Sequence, residues 1–359
     1  MAALVAGLLL GRIAAANPIL SFNSLPLVEN RTMDQMYQVV LKGNRVITMW
    51  HGGDEQNQAD AIRTAFETKF PDLKLNVTVD LSKYLDGRID QQIVAKNVYV
   101  DSIVLQTLHD YPRWAREGAL LNYAPLGFDK IYTGFKDSLS AAYYGLELFS
   151  WMNLWNPQKL SGANFSTYDE YLKPEYKDKL VLTYPHDDDA VLFAYQLIME
   201  RKGQAWFDAL LAQNPRWVRG TATPLALLLQ NDTNEAAAFA ISGSSFAPTD
   251  GSAFAFPTDA DFVSWPQMGG ILKSSPNPEG AKLLHSWMLT PEFQQNIGWS
   301  VRSDVDPPDG YPKIVDMPNT DPMAFAKFME DRATVERLRF WFEDRLGTAQ
   351  GQSPLTDDM

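Results

Sequence analysis

Four short stretches bring together side chains able to grip a small ligand. In Trp50-His51-Gly52-Gly53 an aromatic ring and an imidazole precede two glycines, and glycine lets backbone amides approach a ligand closely. The same pair equally serves a turn that needs positive φ. Gln106-Thr107 offers an amide and a hydroxyl. Tyr184, followed by His186-Asp187-Asp188-Asp189, begins the densest donor cluster of the chain; carboxylates and imidazole suit a metal or another cation. Aspartates at such a position also cap a helix and complement its dipole with no ligand involved. Three adjacent carboxylates repel an anion, so a cationic, metal-bearing or neutral polar ligand is expected. Thr221, Thr223, Ser242 and Ser244 add hydroxyls. Of the 10 tryptophans, Trp50 and Trp151 stand best for stacking on a sugar-like ring, the alternative being core packing.

No linear signature of catalysis accompanies these groups. There is no Gly-x-Ser-x-Gly elbow, no His-Glu-x-x-His helix and no glycine-rich phosphate loop followed by Lys. The expectation is a binding protein and not an enzyme, with no cofactor; which metal, if any, stays open. A cleft enzyme of glycosidase or lyase type is the alternative, because dispersed carboxylates leave no linear motif. A third reading is an orphan extracellular protein with a degenerate cleft.

With no cysteine in 359 residues, disulfides, thiolate metal sites and a lipid-bearing cysteine are excluded. Lys+Arg total 31 against 44 Asp+Glu, a formal net charge of -13, which repels nucleic-acid backbones and anionic membranes. That charge serves solubility, or a cleft that attracts cations. The 45% hydrophobic content supports more than one core, so two lobes are expected. Residues 1–16 carry an apolar run and a small-residue end suited to signal peptidase, too short to span a bilayer. Arg12 within it leaves an ordinary buried helix as the alternative. Sequons at Asn30, Asn76, Asn164 and Asn231 fit glycosylation of a secreted, extracellular chain that begins near Asn17. A signal-like start with exposed sequons suggests a eukaryotic, in particular fungal, secreted protein.

Strand-like and helical patterns alternate. Residues 45–50 read as a β-branched strand ended by the glycine turn, and Ala59, Ile62, Phe66 and Phe70 mark a helical stripe. Leu73, Leu75, Val77 and Val79 alternate as one strand face, which turns Asn76 outward. A helix over 81–94 and a strand over 102–105 follow. Further on, a strand over 146–153, a buried strand over 180–184, a helix over 190–201, a helix over 225–229 and a small-residue strand over 236–241 are expected. This alternation predicts an α/β class with parallel strands and helices on both faces. Ligands then bind beyond the carboxyl ends of the strands, where the four stretches lie.

Two segments resemble the type II periplasmic binding proteins. One is Asp101-Ser102-Ile103-Val104-Leu105 followed by Trp114-Ala115-Arg116-Glu117-Gly118-Ala119-Leu120-Leu121. The other runs from Ser275-Pro276-Asn277-Pro278-Glu279-Gly280-Ala281 to Thr290-Pro291-Glu292-Phe293-Gln294, where each Pro-Glu pair opens a helix. The resemblance covers about 45–300 and is nearest to the ferric-iron solute-binding branch. It implies two lobes joined by crossing strands, with a small-molecule or metal ligand in the cleft. That branch holds iron with adjacent tyrosines after a second-lobe strand, whereas this chain has Ser244-Ser245-Phe246 there. Neutral hydroxyls are poor donors for ferric iron, so no tyrosinate-ferric centre is expected. Tyr143-Tyr144 precedes the first crossover and reads as packing. The expected organisation is a signal peptide over 1–16, lobe 1 over 45–145 plus 268–346, lobe 2 over 146–265 and a flexible tail over 347–359. The chain is expected to be a monomer without a membrane span.

Overall fold

The computed structural model describes residues 25–242 and 251–356. Its first part runs β1 (Leu27–Val28), α1 (Met33–Leu41), β2 (Val46–Gly52), α2 (Asp60–Lys69), β3 (Lys74–Asp80), α3 (Ser82–Val94), β4 (Ser102–Leu105), α4 (Asp110–Glu117) and β5 (Tyr123–Ala124). The middle contains β6 (Tyr143–Trp155), β7 (Val181–Thr183), α5 (Asp189–Lys202), α6 (Gln204–Ala212), β8 (Arg216–Val218), α7 (Thr223–Leu229), β9 (Ala237–Ser242), β10 (Ala253–Ala255) and β11 (Ser264–Ile271). Four helices close the chain: α8 (Pro278–Met288), α9 (Pro291–Gln295), α10 (Ala324–Glu330) and α11 (Arg332–Leu346). The signal segment over 1–16 and Ser244 lie outside the described residues.

Local chemistry accounts for most boundaries. Thr32 and Gln35 cap α1 reciprocally, and Met36 and Val40 are its buried face. The chain leaves α4 through Gly118 at φ 70, a conformation that suits glycine. Asn277 accepts from Gly280 N to start α8, and Thr290 accepts from Phe293 N to start α9, each followed by proline in the first turn. The Asn277 amide also donates to the carbonyls of Asn44 at 2.9 Å and Val46 at 2.8 Å, tying α8 to the start of β2.

β2 pairs in parallel with β3 on one side and β4 on the other, while β11 runs antiparallel to both β4 and β6. β6 is thirteen residues long. Its first half pairs with β11, and its far end also takes β9 and β10 as antiparallel partners. A bridge between Leu180 and Ala237 attaches the parallel pair β7 and β8 beside β9. Two α/β lobes therefore share β6 and β11 as crossing strands, in the curled arrangement that leaves a cleft. The final helices pack on α5: Phe193 stacks on Phe328 at 4.7 Å, and Tyr195 meets Phe342 at 5.5 Å. α8 instead lies against α1, β2 and β11.

Several expected boundaries move, β6 for example running from Tyr143 to Trp155 instead of over 146–153, and one of the shifts bears on the site. β2 continues through His51 and Gly52 instead of stopping at Trp50. Since β2 is a central strand covered on both faces, Trp50 and His51 are drawn into opposite layers of the interior.

Candidate ligand-binding site

A cavity of about 380 Å³ opens where the carboxyl ends of β2 and β4 meet the loops that lead into α5 and α7. This is the position expected for a ligand in an open α/β sheet. Gly52, Gly53, Gln106, Thr107, Asp187 and Thr221 line it, as the sequence suggests. Backbone proximity dictates the glycines: a Cβ on Gly52 would lie 2.0 Å from Ser82 Oγ, and one on Gly53 would lie 2.5 Å from Gln58 Oε1.

Trp50 is not among the lining residues; its ring is buried edge-on to Tyr99 at 5.8 Å. His51 is likewise buried behind the wall, where Nε2 donates to Glu147 Oε2 at 2.8 Å. Tyr184 and His186 pack against each other at 5.3 Å, outside the cavity wall. Thr223 is buried in the first turn of α7. Ser242 ends β9 opposite Trp151.

The floor is aromatic. Phe149 and Trp151 of β6 and Trp265 of β11 line the cavity; Phe149 stacks on Trp265 at 5.6 Å and 15°, and Trp151 meets Trp265 edge-on at 4.9 Å. These three come from the crossing strands, so each lobe shares the floor. Trp265 is itself fixed by Nε1 donating to Gln267 Oε1 at 3.1 Å, and Gln267 donates on to the Gly52 carbonyl at 3.3 Å.

Carboxylates stand over that floor from both sides. Asp54, on the turn after β2, accepts from Thr221 N and Thr221 Oγ1 through Oδ2, both at 2.6 Å. Asp188 caps α5, its Oδ1 accepting from Ala190 N at 2.7 Å and Val191 N at 3.0 Å. The second oxygen of each, Asp54 Oδ1 and Asp188 Oδ2, has no protein donor among the described residues. Burial, reinforced by the charge of Asp54, pushes the Asp188 carboxyl up to about 7. Asp187 behaves oppositely: burial would raise it, but Arg219 at 2.9 Å and Lys83 at 2.8 Å hold it below the usual range. The three aspartates thus divide into a cap facing the cavity, an ion-paired rim residue, and Asp189, which binds Arg332 of α11 at 2.8 Å.

Three more lining residues carry buried polar atoms without a partner among the described residues: Thr107 Oγ1, His109 Nδ1 and Trp151 Nε1. Unmet hydrogen-bond capacity beside a cavity is costly unless a ligand or water satisfies it. Asp188 and Asp189 of the aspartate cluster also line the cavity, and Asp54, His109, Trp265, Arg332 and Arg339 join the wall from outside the residues chosen from sequence. Asp54 follows the glycine pair directly and was within reach of sequence reasoning. Arg332 and Arg339 reach the cavity only because α11 folds back onto α5, and no local signal announces that. Tyr144 lies elsewhere, buried and hydrogen-bonded to His285 Nδ1 at 2.8 Å, with its phenol pushed well up by burial. Tyr143 packs on Tyr111 at 5.8 Å.

No family model matches the chain, and no curated protein matches it. Solved structures do. The substrate-binding protein of an ABC transporter from Agrobacterium tumefaciens aligns with a TM-score of 0.69 at 13% identity, over 86% of this chain and 96% of that one. AfuA, a periplasmic binding protein from Actinobacillus pleuropneumoniae with fructose-6-phosphate bound, gives 0.65 at 15% identity, over 86% and 100%. Iron-bound HitA from Pseudomonas aeruginosa gives 0.62 at 14% identity, over 83% and 99%. The chain accordingly has the bilobed α/β fold of the type II periplasmic binding proteins.

Proposed function

We propose that the chain is an extracytoplasmic solute-binding protein that closes around a small organic cation bearing a hydrogen-bond acceptor. One observation carries this: Asp54 and Asp188 offer partnerless carboxylate oxygens from opposite sides of the cleft, above the floor of Phe149, Trp151 and Trp265. A cation bridging them relieves the repulsion that raises Asp188, and aromatic faces add cation–π attraction. The hydroxyl of Thr107 and the indole N–H of Trp151 would serve the acceptor end of the ligand. The cavity falls within the size of ordinary small-molecule sites.

The relatives named above hold a sugar phosphate in one case and iron in another, so the fold alone does not select a ligand. Iron in the tyrosinate manner fits poorly, since Tyr144 is buried in the core, the partly buried Tyr143 packs on Tyr111, and neither lines the cavity. Among the described residues no group of three His, Asp or Glu side chains is placed to hold a metal ion. In our reading 45–145 and about 268–300 form one lobe and 146–265 the other; the expected extension of the first lobe to 346 is revised, because α10 and α11 pack on α5. Secretion with glycosylation is part of the same reading; Asn30, Asn76, Asn164 and Asn231 are all exposed. No helix among the described residues is long and apolar enough to cross a membrane. We take the protein to be a monomer.

A thermal-shift panel at pH 7.5 tests this reading with thiamine, spermidine, choline, ferric citrate, divalent metals, glucose and fructose-6-phosphate. A ligand at 100 times its dissociation constant adds about 2.7 kcal/mol. Stabilisation by an organic cation supports the assignment; stabilisation by sugar phosphate or ferric citrate alone contradicts it. Turnover of a glycoside in the same preparations would move the protein to the cleft-enzyme class.

A further inference from the structure

We propose that the C-terminal segment 347–356 is a strap that holds the cleft closed, whatever ligand the cleft takes. The chain leaves α11 through Gly347 at φ 77 and bends again at Gly351 at φ 110. Pro354 is then buried against Gly220, so close that a Cβ on Gly220 would lie 2.5 Å from Pro354 Cβ. The next residue, Leu355, accepts through its carbonyl from Gln56 Nε2 at 2.9 Å. Ser353 closes the turn by accepting from Thr356 N at 2.8 Å.

Both anchors fall on the turns that meet across the cleft. Gln56 shares the turn after β2 with Asp54, and Gly220 directly precedes Thr221. The Asp54 to Thr221 bonds join these turns at the cavity, while Pro354 and Leu355, neither of which lines the cavity, join them a second time through Gly220 and Gln56. Opening the cleft separates the two turns, so the strap must first release Gly220 or Gln56. None of its contacts uses a ligand, and the strap therefore favours the closed form of the empty protein as well. Its role is to slow opening and, through it, exchange at the site.

The cysteine-free chain suits a direct test. Asn76→Cys and Asn231→Cys place spin labels at two exposed positions, one on β3 and one in the loop before β9. Interlabel distances are compared, without ligand, in the intact chain, in a chain ending at Gln350 and in Pro354→Asp. Loss of the strap should raise the long-distance population roughly tenfold, the size expected from one hydrogen bond and one buried ring. Cooperative melting verifies that each variant folds; the point variant decides should the truncated chain fail to fold. Unchanged distance distributions in both variants overturn the proposal, as does a long-distance population that already dominates the intact chain.

Discussion

Replacing Asp188 by asparagine should make the ligand-free protein more stable above pH 7 while weakening its hold on a cation. Asparagine keeps the helix cap, because its side-chain oxygen can still accept from Ala190 N and Val191 N. What it removes is the charge. The native carboxyl has its proton affinity raised from the usual 3.8 to about 7, by burial first and by Asp54 second. The folded state therefore binds this proton more tightly than the unfolded state does. The resulting stabilisation is complete below pH 3.8 and is lost progressively as pH rises through 7. At ~1.4 kcal/mol per unit, the displacement sets an upper bound of roughly 4 kcal/mol. Solvent in the cavity that Asp188 borders screens the charge, so about 1–2 kcal/mol is the expected share. Urea denaturation of wild type and Asp188→Asn between pH 5 and 8 measures it. The curves should diverge toward high pH, the variant being the more stable. A residual slope is expected in both, because burial and Asp110 also push Asp86 up to about 7. A variant that is less stable at pH 8, or one that keeps the full wild-type slope, refutes the reasoning.

Asn277→Ala should cost about 2–3 kcal/mol in urea denaturation, since the side chain caps α8 and holds two carbonyls of the β2 start. His285→Leu strands the buried hydroxyls of Ser102 and Tyr144, which the imidazole bridges at 2.7 and 2.8 Å, and should lose roughly 2–4 kcal/mol. Burial depresses His285 to about 3, so its share of stability is present above pH 6.5 and falls away toward pH 3; the variant should lack that acid-side slope. Intact mass before and after deglycosylation of secreted material should show glycans on at least one of Asn30, Asn76, Asn164 and Asn231, and an N-terminus near Asn17.

Much of the fold is written in local patterns. The alternation from Leu73 to Val79, the capping chemistry at Asn277 and Thr290 and the glycine after α4 each act within a few residues, so each is readable without knowing the rest. The rule that ligands sit past strand ends selects the glycine turn, Gln106-Thr107 and Thr221, all of which line the cavity. It fails for Trp50 and His51 because β2 runs two residues further, and because the His51 partner, Glu147, lies 96 residues away in β6. For Asp188 the capping meaning weighed for the aspartate cluster holds, since Oδ1 caps α5, and the residue also lines the cavity. The reach of Arg332 and Arg339, and the contacts of Pro354 with Gly220 and of Leu355 with Gln56, depend on α10 and α11 docking against α5. That docking is an aromatic match between distant segments, with no counterpart in local spacing.

Calorimetric titration of spermidine and thiamine into wild type and into an Asp54→Asn, Asp188→Asn double variant is the most direct test of a cleft built for an organic cation. At pH 6.5, in buffers of differing ionisation enthalpy, at least one of the two should bind wild type with release of a proton. The double variant should lose about 100-fold or more in affinity, in line with the 2–5 kcal/mol attached to truncating a buried charge pair. Equal affinity in wild type and double variant, or binding without proton release, would contradict the account.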